Sequence, residues 1–175
     1  MLKPSLKRAL TVTILLFGVA KISPQAQQQE EAPAKPASPG IVYRNPQYGF
    51  CFSLPMSWQG YSIVMDQWDG FSMKGQQGHQ GGIHGPIISI RHPLWTKENP
   101  RQDIPIMVFT RRQWDSLLKD EFHIGAAPIG PSELGRNHKH VFALPARYNF
   151  GYLTGFEEVD QIVRSSALQT PCKEK

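Results

Sequence analysis

The alternation of apolar and polar positions becomes regular at Phe50-Cys51-Phe52-Ser53-Leu54, where Phe50, Phe52 and Leu54 share one side of an extended chain. Pro55 has no N–H to donate and ends that ladder, and Trp58 is placed to fold back over its end as an apolar cap. Val42-Tyr43 predicts a short strand before it, with Asn45-Pro46 as the turn. Tyr61–Met65 alternates in the same way and predicts another strand, with Asp69-Gly70 as a turn signal. Residues 74–86 carry five glycines and almost no apolar side chain, so they read as a loop before a strand at Ile87–Arg91, closed by His92-Pro93. Ile104–Phe109 is apolar on both faces, Ile104, Ile106 and Val108 against Met107 and Phe109. That pattern predicts a central strand with Pro105 at its start.

The period then changes. Thr110-Arg111-Arg112-Gln113 has the order of a capping box, and Trp114, Leu117, Leu118 and Phe122 follow at helical spacing as one apolar stripe. Thr154-Gly155-Phe156-Glu157 repeats the device ahead of Val159, Ile162, Val163 and Ala167, with Pro171 as a stop beyond. Between the two helices lie an irregular segment, Ala126–Gly135, and a strand pair around His140–Leu144 and Arg147–Phe150. Strands and helices segregated in this way predict an α+β fold, a mainly antiparallel sheet with two principal helices packed on it.

Charge and composition divide the chain further. Lys3, Lys7 and Arg8 precede the twelve-residue apolar run Ala9–Ala20, which is too short for a spanning helix and reads as the core of a signal peptide over residues 1–26. Cleavage sites follow Ala20 or Ala26, and the alternative is an uncleaved anchor, which Lys21 disfavours by ending the run. Residues 27–40 lack aromatic and large aliphatic side chains and read as a disordered Gln/Pro/Ala-rich tether, leaving 41–175 as one globular domain. Four of the 19 basic residues lie in the signal, so the remainder holds 15 against 14 acidic residues. That near-balance leaves no electrostatic footprint for a nucleic acid, and the mature chain has no membrane span. In the oxidising compartment that export implies, Cys51 and Cys172 are candidates for a disulfide; the alternative is two separate thiols with Cys51 packed as a small apolar residue.

The opening order Y-x-N-x-x-Y-G-F-x-F-x-L-P-x-S-W, from Tyr43 to Trp58, together with the closing helix, resembles exported bacterial domains of the broad PsbP-like kind. The resemblance implies an α/β/α sandwich used for binding and assembly outside the cytoplasm, usually without catalysis; a protein in the envelope is the partner to expect of such a module. It transfers no functional residue.

Histidine is the first candidate for chemistry. His138 and His140, at positions i and i+2 of an expected strand, share a face and with His79 or His84 of the glycine-rich segment form a candidate Zn or Cu site. The alternative is four polar loop and strand-end residues. Arg91, His92, Trp95 and Arg101 form a basic–aromatic cluster that either lines a ligand groove or pins its loop to the core. The chain contains no G-x-S-x-G elbow, H-E-x-x-H helix, phosphate-binding G-x-x-x-x-G-K or C-x-x-C pair. The reading is therefore an exported, noncatalytic binding or assembly module, with an envelope metal-binding protein as the alternative.

Overall fold

A strand apolar on both faces has to be covered on both, and Ile104–Thr110 is. The computed structural model describes residues 40–72, 82–125, 129–146 and 152–172. In chain order the elements are β1 (Ile41–Asn45), β2 (Phe50–Leu54), a 3-10 turn (Met56–Trp58), β3 (Ser62–Ser72), β4 (Ile83–Arg91), β5 (Ile104–Thr110), α1 (Arg111–Leu118), β6 (Phe122–Ile124), β7 (Ser132–Arg136), β8 (His140–Leu144), α2 (Phe156–Arg164) and β9 (Leu168–Gln169). Six strands form one sheet in the order β6-β3-β4-β5-β8-β7, and β1-β2-β9 form a second. Every ladder in both sheets is antiparallel, so the fold is α+β. All of the expected signal and tether except Gly40, residues 1–39, lies outside the described residues, and no described helix is long and apolar enough to cross a membrane.

The two faces of the large sheet carry two cores. Ile104, Ile106 and Val108 of β5 join Ile88 and Ile90 of β4 and Phe142 of β8 against Phe50, Phe52 and Leu54 of the small sheet, with Trp58 and with Val159 and Ile162 of α2. Met107 and Phe109 join Val141 and Ala143 of β8, Trp68 of β3, Phe122 of β6 and Trp114 of α1 on the opposite face. Each of the larger aliphatic and phenylalanine side chains, taken fully out of water, contributes about 1.5–3 kcal/mol. Cys51 and Cys172 form the disulfide, with Cα atoms 5.3 Å apart. It ties β2 to the residues just beyond β9, where Cys51 already pairs with Gln169.

Several local expectations are corrected. Asp69-Gly70 does not turn the chain: β3 runs through it to Ser72, with Gly70 opposite Ile83. Gly70 is needed there because a Cβ would sit 2.6 Å from the Phe122 ring. Ile83–Pro86, expected in the loop, is ladder: Gly85 lies under the Trp68 indole, 2.6 Å from where a Cβ would be. Trp68 stacks on Phe109 at 4.5 Å and donates its Nε1–H to the Val108 carbonyl. In both places an aromatic ring fills space that a glycine leaves open, so glycine marks packing rather than a turn.

The capping box of α1 forms as expected: the Thr110 hydroxyl accepts from the Gln113 N–H and the Gln113 side chain accepts from the Thr110 N–H. The apolar stripe is shorter than its spacing suggested. Asp120 adopts a left-handed conformation (φ 54°) and reverses the chain, so Phe122 enters the core from β6 while Leu118 is left 66% exposed. No box starts α2. Its N-cap is Gly155 at φ 84°, without a side-chain cap, because Thr154 pairs with Arg101 and its carbonyl accepts from the Gln102 N–H. Within the segment expected to be irregular, Ser132–Arg136 is strand β7, its register broken between Glu133 and Gly135, which hides the period. β7 is also the hairpin partner of β8; the partner expected there, residues 147–150, lies outside the described residues.

Candidate functional site

The register of the large sheet decides where the predicted histidines fall. His140 opens β8 opposite Thr110, the last residue of β5. His84 lies near the start of β4 opposite Asp69, and its carbonyl accepts from the Gln113 side chain of α1, 3.0 Å away. The two therefore sit at one end of the sheet with β5 between them, on the face that also carries Phe142 and Ile88. His138 is not on the strand: it lies in the turn that Asn137 organises. The Asn137 side-chain oxygen accepts from the Lys139 and His140 N–H groups, and its amide donates to the Tyr48 carbonyl at 2.8 Å. His79 lies outside the described residues.

Their environments differ. His84 is exposed, with Nδ1–H donating to the Gly82 carbonyl at 2.8 Å. His140 is half-buried, edge-on to the Tyr48 ring at 5.4 Å. Burial holds its pKa below the ordinary histidine value, against a hydrogen bond with the Tyr48 backbone; Lys139 and His138 push the same way as burial. Among the described residues no three His, Cys, Asp or Glu side chains are arranged to hold a metal ion.

The basic–aromatic cluster resolves into three pairings that fasten the β4–β5 connection. Arg91 forms a two-pronged ion pair with Asp103 (2.8 Å for the shortest contact) and its guanidinium lies over the Trp95 ring at 4.0 Å. His92 is buried edge-on to Trp58, 5.0 Å between ring centres, and its Nδ1 accepts from the Leu94 N–H. Burial and then the nearby Arg101 charge lower the His92 pKa, with Glu158 opposing them. Arg101 reaches Glu158 at the first turn of α2 at 4.0 Å, and the Ser57 hydroxyl donates to the other Glu158 oxygen at 2.7 Å. Serine and histidine thus serve different partners. The cluster staples α2 and the loop to the core, with the Ser57 hydroxyl and Arg101 both held on Glu158.

What sequence reading passed over is the outer edge of β3. β6 pairs only with Gly70–Ser72, so among the described residues Ser62–Asp69 has no ladder partner on the side away from β4. Ile63, Met65 and Phe71, which share one face of β3, are 36%, 57% and 65% exposed. An alternating run signals a strand but carries no mark of being an edge, so only the Tyr61–Met65 period was available beforehand. No family model, curated protein or solved structure matches this chain.

Proposed function

We propose that the chain is an exported, noncatalytic binding or assembly module of the bacterial cell envelope. The observation that carries the binding role is the edge of β3 from Ser62 to Asp69, which has no ladder partner on the side away from β4 among the described residues, with Ile63 and Met65 exposed along it. Open edges invite strand pairing with other chains, and exposed apolar stripes mark contact surfaces. The Cys51–Cys172 bridge supports export, since such bonds persist in oxidising compartments. The opening motif at Tyr43–Trp58 supports a PsbP-like relationship, and so a role in assembly. Site-specific photo-crosslinking in cells tests the binding reading: a photoreactive residue at Met65 should give discrete protein adducts that one at Lys119 does not. Identical or empty patterns at both positions would reject it.

The alternative is an envelope metal protein. What supports it is the register that carries His84 and His140 to one end of the sheet, with His138 in the adjoining turn. Under that reading Zn(II) or Cu(II) at a hundredfold excess over its dissociation constant adds about 2.7 kcal/mol to stability. The rise in melting temperature would be lost with EDTA and in His138→Ala/His140→Ala.

A further inference from the structure

Pro86 fixes which backbone groups of β3 face outward. Pro86 sits directly opposite Gln67 in the β3–β4 ladder and has no N–H to exchange. In an antiparallel pair, such a residue belongs at a position whose partner directs its own N–H and C=O to the other side. Gln67 therefore points its backbone groups away from β4, and by the period of two so do Ile63, Met65 and Asp69. The Gln67 N–H confirms this direction, since it is held by the Asp66 carboxylate at 2.8 Å. The pairing of Phe71 with His123 of β6, farther along the same side, follows the same alternation. From Ile63 to Asp69 these outward groups span about 20 Å, room for an added strand.

The side chains flanking that edge say what kind of strand it takes. Ile63 and Met65 lie on one face, with Asp69 exposed at the far end of that same face and accepting from the Gln67 side-chain amide at 3.0 Å; Asp66, exposed, lies on the other. β3 carries no lysine or arginine from Ser62 to Ser72. A second copy of this strand would bring acidic edges together, which disfavours self-pairing. A strand with apolar residues on alternate positions and basic residues between them matches both faces. Its apolar side chains would extend the Ile63–Met65 stripe and its cations would meet Asp66. Drawing Asp66 to a cation frees the Gln67 N–H for the incoming carbonyl, so the carboxylate both guards the edge and selects for the partner that opens it.

We propose that the Ser62–Asp69 edge of β3 is a docking site for an extended partner segment of alternating apolar and basic residues, which joins the large sheet as a seventh strand. The proposal rests on the binding-module reading above and gives it a partner chemistry and a geometry.

The test uses the purified, oxidised full-length chain and two fluorescent decapeptides, one alternating valine with lysine and one alternating valine with glutamate, read by anisotropy at 50 and 300 mM NaCl. Saturable binding of the lysine peptide, weakened several-fold by the higher salt and at least tenfold weaker for the glutamate peptide, is expected. Asp66→Lys should reverse the preference. Met65→Pro removes an outward N–H while sparing the β4 ladder, so it should abolish binding with little change in melting temperature. Amide exchange at Ile63 and Met65 should slow when the lysine peptide is added. Equal binding of both peptides, no saturable binding, or an unchanged affinity in Asp66→Lys would overturn the proposal. So would a dimer in sedimentation whose β3 edge is already protected without peptide, because the occupant would then be a second copy. Crosslinks at Met65 in cells without peptide binding would reject strand addition alone; loss of both would reject the binding module as well.

Discussion

Reducing the Cys51–Cys172 bridge releases a constraint between residues 121 positions apart in the chain. Nothing in the native packing requires the bond, since Cys51 is buried on β2 beside Phe52 and stays so as a thiol. The effect belongs to the unfolded chain, which regains the freedom that the loop denied it. For a loop of this length the chain-entropy relation gives about 5 kcal/mol at 25 °C. In a domain of this size each kcal/mol moves the melting temperature by about 3 °C, so complete reduction should lower it by about 15 °C. Urea unfolding followed by tryptophan fluorescence reads it directly, because Trp58, Trp68 and Trp114 are buried and will shift together. The slope against urea should rise on reduction, as the uncrosslinked chain exposes more surface. Cys51→Ala/Cys172→Ala without reductant should match the reduced native chain. A melting temperature within about 3 °C of the oxidised protein after full reduction would refute the loop-closure reasoning. It would mean that the unfolded chain stays compact without the bond.

Three further outcomes are expected. Gly85→Ala puts a Cβ 2.6 Å from the Trp68 indole and should destabilise by about 1–3 kcal/mol; combining it with Trp68→Leu should recover part of that loss, which a double-mutant cycle in urea would show. Thr110→Ala breaks the capping box of α1 and should lose about 1 kcal/mol in the same assay, whereas Thr110→Ser should lose much less. His92 and His140 both have pKa values held below normal in the folded state, so folding favours their neutral forms. Their contribution is complete above the unfolded value of about 6.5 and falls as the pH drops below it, with a slope of at most about 1.4 kcal/mol per pH unit for each. Stability that rises between pH 7 and pH 5 would contradict that sign, and His140→Phe should flatten the profile over that window.

Whatever depends on neighbours in the chain is legible in residue order alone. The two-faced run of β5 forced it to the centre of a sheet covered on both sides, and the Thr110–Gln113 spacing set the start of α1. Alternation at Phe50–Leu54 set which side of β2 faces the large sheet, although Cys51 on the other side is buried as well. Whatever depends on a partner distant in sequence was settled only by packing. Gly70 and Gly85 look like breakers until Phe122 and Trp68 are seen filling the space beside them. Phe122 fits a helical stripe by spacing alone, but the left-handed Asp120 delivers it from a strand. Cys51 and Cys172 pair because β9 returns alongside β2, and the basic–aromatic residues proved to be pins once Asp103, Trp58 and Glu158 had come to meet them. The open edge of β3 is the furthest case. A strand's own residues encode which faces it shows, but whether its backbone is paired depends on where β6 stops, and no local pattern records that.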